Sequence, residues 1–181
     1  NWRMCRDNGL TNDWNYCGGY NEQTGPGGTS GKRGGGTHGG LGRSGSTTVY
    51  GSFTQPTTVG SGGGTAYGCS PTLPAGGAAV HIIVEGSMDL TGEINFGGGW
   101  PNDCSGRCYN YNSYHGAGGS SAGSVWIETK LFSGSGHVYV NGGKGGTHPC
   151  GQQWQGYGGG GGRIAIAFES WVHSGKLEAF G

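Results

Sequence analysis

Six cysteines are the residues of this sequence with the most defined chemistry. An even number of cysteines in a chain poor in apolar residues predicts disulfides, which compensate for a small core and form in oxidising compartments. The pairing stays open, since six thiols combine in several ways. A metal site is not expected, because the C-x3-C spacing in this set has no second pair to complete a tetrahedral site. The disulfide candidates are Cys5, Cys17, Cys69, Cys104, Cys108 and Cys150.

No residue pattern in the sequence predicts catalysis or a cofactor. Residues 142–147 place a lysine among glycines but lack the spacing and the following helix of a phosphate-binding loop. The carboxylates occur singly, and the six histidines show no paired metal-ligand spacing. We therefore expect no catalytic residue, no metal and no cofactor, and a protein that is not an enzyme.

Aromatic residues outside the apolar runs form the third group with binding chemistry. Several of them are interleaved with asparagine and glutamine, and flat rings beside amides suit both saccharide faces and protein surfaces. The alternative is that these rings cover disulfide-closed loops. The candidate glycan or subunit contacts are Trp14, Trp100, Tyr109, Tyr111, Trp154 and Tyr157.

Composition and charge limit the class of partner. Ten Lys/Arg against ten Asp/Glu give a net charge of zero, so the chain has no basic surplus for nucleic acid. No apolar run approaches the length of a membrane-spanning helix, so we expect no membrane span. Glycine contributes 47 of the 181 residues, a fraction typical of low-complexity chains, yet the charge excess that usually accompanies disorder is missing.

An internal repeat supplies the elements that must position these groups. Three units of two short strands with alternating apolar residues recur near residues 79–98, 124–143 and 163–181, each with a glycine tract beside its strands. Residues 46–53 are interpreted as the start of a fourth, degenerate unit. Equivalent positions of the units predict a core ladder of Val80, Ile82, Ile94, Val125, Ile127, Val138, Ile164, Ile166 and Leu177.

The repeat predicts an all-β, glycine-rich solenoid, with a β-sandwich as the alternative. A strand of four to six residues cannot bury its apolar face alone, whereas stacked units form a continuous core. The glycine tracts fit solenoid corners or polyproline-II-like strands packed side by side, where no Cβ has room. A flexible linker is the other interpretation of these tracts.

Three motifs resemble those of glycine-rich extracellular repeat proteins of plants, algae and other microbial eukaryotes. They are GGGTHGGLG at residues 34–42, YGSFTQPTTVGSGGG at residues 50–64 and GGGGGRIAI at residues 158–166. The resemblance covers most of residues 24–181 and implies a parallel β-helix-like module of larger surface proteins, without a catalytic motif. Residues 1–23, rich in Cys and aromatics, and the loop insertion 100–115 depart from the pattern.

These observations together predict a non-enzymatic structural subunit of an extracellular fibre, wall or surface coat. Because no polar cap follows Phe180, we expect the last unit to associate head-to-tail with a second copy. The expected partners are the protein itself and polysaccharide or attached glycans, and the expected location is secreted, at the cell surface. The alternative function is a carbohydrate-binding or adhesive surface module that uses the loop aromatics.

Overall fold

The structure, a computed structural model, describes residues 2–3, 25–29, 33–65, 75–101, 116–147 and 155–181. Within these ranges the chain is all-β, with strands and no helix, and therefore no helix that could cross a membrane. All six cysteines lie outside the described residues, and so do the disulfides predicted for them. The strands are β1 Trp2–Arg3, β2 Ala79–Leu90, β3 Glu93–Asn95, β4 Ser124–Gly134, β5 His137–Tyr139, β6 Arg163–Ala167, β7 Ser170–His173 and β8 Leu177–Glu178.

Equivalent strands of the three repeat units pair with one another in two parallel sheets. In the first sheet β2 pairs with β4, and β4 pairs with both β6 and β7. In the second sheet β5 lies between β3 and β8. The register aligns three columns, which are Val80–Val125–Ile164, Ile82–Ile127–Ile166 and Ile94–Val138–Leu177.

The first strand of the first and second units is longer than the sequence pattern indicates. β2 continues through Gly86, where the sequence predicts a turn, because an irregularity between Val84 and Ser87 lets the chain resume pairing with β4. In the third unit the corresponding stretch forms two strands, β6 and β7, which are separated by Phe168 and Glu169. The prediction of a fourth unit at residues 46–53 is wrong, because these residues form no strand.

A compact aliphatic core lies where the two sheets meet. Val125, Ile127 and Val138 of the middle unit are completely buried, because they have a paired unit on each side. Leu177 keeps its place in the register but is 41% exposed, since β8 has a paired neighbour on one side only among the described strands.

Seven glycine-rich segments pack beside the sheets as a bundle without regular strands, which we call the glycine bundle. Its central segment, residues 116–123, is buried along its whole length. Backbone hydrogen bonds join this central segment to all six others. Those six are residues 33–42, 60–65, 75–78, 96–101, 140–147 and 155–162.

Hydrogen bonds of the central segment repeat every three residues. In the order of the donors Gly118 to Gly123, the acceptors are the carbonyl oxygens of Gly64, Tyr157, Gly99, Ser61, Gly160 and Phe96. Donors three residues apart therefore reach the same neighbouring segment. This is the period of a polyproline-II-type helix, which has three residues per turn and no internal hydrogen bonds, so its backbone groups are available to neighbours.

Glycine is required in this bundle because the backbones approach too closely for a side chain. A Cβ built on Gly118 would lie 1.8 Å from the carbonyl oxygen of Gly34, and one on Gly123 would lie 1.7 Å from that of Ala78. Neither neighbour is a side chain that could rotate away. The tracts in the described ranges are therefore packed structure, and the linker interpretation is wrong for them.

Candidate functional site

The outer edge of the third repeat unit is the first candidate interaction surface. Among the strands that the structure describes, β6 and β7 pair only with β4, and β8 pairs only with β5. One side of each strand thus presents unpaired backbone groups, the feature that makes an edge strand a template for another chain. We call this surface the end edge.

Large apolar side chains are exposed along the end edge. Val172 of β7 is 65% exposed, and Phe180, which follows β8, is 67% exposed. Half of the exposed large apolar residues in the described ranges belong to this last unit. They are Phe168, Trp171, Val172, Leu177 and Phe180.

An aromatic cluster holds the exposed side chains of the end edge in place. Trp171 lies with its ring centroid 5.1 Å from that of the buried Phe132 and 5.1 Å from that of Phe168. Its indole Nε1 donates to the carbonyl oxygen of His173. The cluster fixes Trp171 against the core on one side while the indole stays 39% exposed, so the edge is an ordered apolar surface.

The opposite end of the sheets is the edge of the first unit. β1 pairs antiparallel with β2 at His81 and Ile82, so it covers two positions of this edge. Among the described strands, β3 pairs with β5 alone. On this side, Glu93 is the first residue of β3 and lies opposite His137 of β5. On the other side of β5, at the end edge, Lys176 lies next to the same His137. The two ends therefore carry opposite charges at equivalent positions.

A buried polar centre links the loop at residues 46–59 to the glycine bundle. His38 is completely buried, with Nδ1 2.7 Å from the carbonyl oxygen of Ala122 and Nε2 2.8 Å from Oγ1 of Thr58. A carbonyl oxygen only accepts, so Nδ1 carries the proton and Nε2 accepts from the Thr58 hydroxyl. The pKa of His38 is lowered to about 4, mainly by burial and also by the charge of Arg163, while hydrogen bonds to the backbone oppose the shift.

Arg163 extends this centre to the first residue of β6. Its Nε donates to the carbonyl oxygen of Tyr50, and its guanidinium lies 4.0 Å from the ring centroid of Phe53. Tyr50 in turn stacks at a tilt on His38, with centroids 4.6 Å apart, and its hydroxyl contacts Oγ of Ser61. Because every one of these groups joins two segments of the chain, the centre acts as a structural link and faces no open site.

A second exposed surface lies on the outward face of the first sheet. His81 of β2 stacks on Trp126 of β4, with ring centroids 3.5 Å apart and planes 5° from parallel. Nε2 of His81 lies 2.6 Å from Oε1 of Glu128, whose side chain is 41% exposed. On the third strand the partner of Trp126 is Ala165, a side chain too small to cover the indole.

The aromatic residues predicted as contacts differ in how accessible they are in the structure. Trp100 is 69% exposed and so is available to a partner. Tyr157 is not open in the same way, because the guanidinium groups of Arg33 and Arg43 lie 4.7 and 4.6 Å from its ring centroid. Trp14, Tyr109, Tyr111 and Trp154 lie outside the described residues, as do the six cysteines.

No group of three metal-ligating side chains occurs within the described ranges. His38 and Trp126, by contrast, are prominent in the structure and absent from the sequence-based candidates. The signal for Trp126 was present: it occupies an outward position of a strand aligned with His81 in one neighbour and alanine in the other. His38 had no such signal, because its burial depends on segments 20 and 84 residues away along the chain.

Comparisons of the chain with protein-family models, with curated proteins and with solved structures find no match. The function is therefore argued from the two edges and the outward face of the sheets.

Proposed function

We propose that this protein is a non-enzymatic structural subunit that assembles head-to-tail into an extracellular fibre, wall or surface coat. The observation that carries the proposal is the end edge, where strands with one side unpaired among the described residues coincide with exposed apolar side chains. Edge strands without a cover tend to pair with another chain. A contact between different surfaces that repeats without closing produces a filament.

The repeat geometry supports a second copy of this chain as the occupant. Each described unit already accepts the next one through parallel strands in register, so the first unit of another copy offers the end edge a surface of the same kind. Continued stacking would make the units a solenoid, as the repeat predicts. Stacking would also bury Leu177, which is exposed only because its column ends there.

Charge complementarity favours this register over others. In a head-to-tail contact the Lys176 side of one copy meets the Glu93 side of the next. Opposite charges on directly neighbouring strands stabilise the pair, and like charges destabilise it. Since β1 occupies His81 and Ile82 of β2, the incoming edge adds to β3 and to the part of β2 beyond these positions.

An extracellular location is part of the proposal. Six cysteines in a chain with little aliphatic core support an oxidising compartment. The resemblance of the glycine motifs to extracellular repeat proteins supports the same location. Polysaccharide is the further partner that a wall or coat would supply.

Sedimentation velocity at increasing protein concentration tests the assembly. We expect the weight-average mass to rise with concentration, and negative-stain images to show linear particles. Val172→Lys places a charge on an exposed position of the end edge and should leave only monomers. Leu41→Lys, at a site that is 60% exposed in the bundle region, is the matched control and should assemble as the wild type does. A wild-type protein that stays monomeric at all concentrations overturns the proposal.

A charge exchange tests the register. Lys176→Glu and Glu93→Lys should each weaken assembly, and the double variant should restore it. Restoration distinguishes head-to-tail contact from two end edges facing one another, because a symmetric contact would not bring Lys176 next to Glu93.

A further inference from the structure

We propose that the outward face of the first sheet binds a neutral, glucose-configured saccharide chain at a platform formed by Trp126, Glu128 and Ala165. This site uses side chains on the outward face of β4 and β6, whereas the end edge is formed by the unpaired backbone side of β6, β7 and β8, and it contains none of the loop aromatics predicted from the sequence. The platform has three features: an indole with one open face, a carboxylate with an unused oxygen, and a neighbouring strand of small side chains.

The indole of Trp126 has one covered and one open face. His81 covers the first at 3.5 Å and nearly parallel, which fixes the ring in one orientation. The column continues on β6 with Ala165, whose methyl group leaves the second face without a ring against it. Trp126 is only partly buried, and no described residue accepts a hydrogen bond from its Nε1. A flat, preoriented apolar ring with a polar edge is thus open toward β6.

Glu128 supplies a hydrogen-bond acceptor two residues further along β4. Its Oε1 is held by Nε2 of His81, while Oε2 accepts no hydrogen bond from the described residues. In the register Glu128 pairs with Ala167 on β6, so the carboxylate too is next to a small side chain. Ala165 and Ala167 together form a shallow shelf beside the indole and the carboxylate.

A pyranose ring of glucose configuration fits these features. All its ring substituents are equatorial, so each face presents axial C–H bonds to the negative face of an aromatic ring. Its hydroxyl groups are donors for Glu128 and acceptors for the indole N–H. Acidic saccharides fit poorly, because their carboxylates would lie close to Glu128. Sites of this kind combine an apolar surface with a few placed polar groups.

Isothermal titration with cellohexaose tests the proposal, using the Val172→Lys background so that assembly plays no part. Failure here would leave the head-to-tail proposal intact, and failure of assembly would leave this one intact. We expect cellohexaose to bind and hexagalacturonate to bind at least tenfold more weakly. Absence of heat and of saturation-transfer NMR signals with cellohexaose overturns the proposal, as does equal binding of hexagalacturonate.

Ala165→Ile is the decisive variant, because its larger side chain fills the shelf and covers the open face of the indole, while Trp126, His81 and Glu128 keep their identities. Isoleucine is also favourable in a strand, so the fold should be retained. We expect at least a tenfold loss of affinity, whereas Ser170→Ile, at an exposed position of β7, should bind as the background protein does. Glu128→Gln keeps the shape and should weaken binding about threefold to tenfold, in line with the exchange of a charged hydrogen bond for a neutral one. Unchanged affinity in Ala165→Ile places any binding elsewhere and overturns the assignment.

Discussion

The stacked β units and the glycine bundle each form a buried interior, the first through side-chain packing and the second through backbone hydrogen bonds. In the β units, aliphatic columns such as Val80–Val125–Ile164 bury side chains between neighbouring rungs. In the bundle, the central segment is buried with no side chain larger than alanine or serine, and backbone hydrogen bonds join it to six neighbours. A chain with 47 glycines can therefore form a packed interior when its backbone N–H and C=O groups form hydrogen bonds with other segments.

The two regions should therefore respond differently to the addition and to the removal of a methyl group. Added carbon has no space between backbones in the bundle, whereas removed carbon leaves a void in the β core. The following substitutions test this difference through the stability of the variants.

Gly118→Ala should have the largest effect. Its Cβ would lie 1.8 Å from the backbone oxygen of Gly34, so the central segment must move away from its neighbours. We expect a loss of more than about 4 kcal/mol in the free energy of unfolding, the range of the most disruptive single changes. Gly92→Ala is the matched control, because nothing lies within 4 Å of a Cβ there. Urea unfolding of both variants checks the prediction, and equal stability of the two would contradict the packing of the bundle.

Ile127→Ala should come next, with a loss of about 3 kcal/mol, since the side chain is completely buried and leaves a cavity. Ile127→Val should cost only about 1 kcal/mol. A graded response in the β core, against an all-or-none response in the bundle, is what the comparison predicts. Ile166→Ala, on the partly buried outer strand, should cost less than Ile127→Ala, and the reverse order would argue against the end edge as an edge.

The pH dependence of stability tests the link between the two regions. The pKa of His38 is lowered from 6.5 to about 4, so between these values the unfolded chain binds more protons than the folded one. Its contribution is fully present above pH 6.5 and is lost as the pH falls toward 4. The loss amounts to about 3 kcal/mol by linkage.

Denaturant unfolding between pH 4 and pH 8 measures this effect. His38→Gln should be less stable at pH 7 and should lack that part of the pH dependence. A variant with the same slope as the wild type would show that other groups cause the dependence.

Tyr157→Leu should have the smallest effect, about 1 kcal/mol, through loss of the two arginine contacts with the ring. Tyr157→Phe retains the ring and should be close to the wild type. Thermal unfolding of the two variants at low and high salt separates them, and a Phe variant as unstable as the Leu variant would argue against the cation–π contacts.

The sequence predicted the β pairing well and the glycine bundle poorly. Val80, Val125 and Ile164 occupy equivalent positions in three similar strings, and the structure pairs them, because similar strands bury similar faces. The segments that pack against Gly118 could not be predicted from equivalent positions in a repeat. A glycine tract offers many equivalent backbone groups and no side-chain pattern that selects one partner from another.

The candidate site likewise contains features that the sequence predicted and features that it did not. The register of Leu177 opposite Val138 follows from the repeats, whereas its exposure does not, because the sequence predicted it in the core ladder. The stack of His81 on Trp126 requires the register of β2 and β4, and the position of His38 requires the loop at residues 46–59 to fold over the bundle. The fourth unit predicted at residues 46–53 was wrong for the same reason, since Tyr50 in this loop contacts His38 and Ser61 and joins no ladder.

By itself, the sequence determined that short alternating strands would stack in equivalent positions, because apolar periodicity is a local property of side chains. It left open whether the glycine tracts between them are packed or flexible. Only the tertiary structure decided which tract lies against which, that residues 116–123 lie at the centre, and which indole face stays open. Those outcomes depend on backbone hydrogen bonds between distant segments, whose donors and acceptors are the same in every residue.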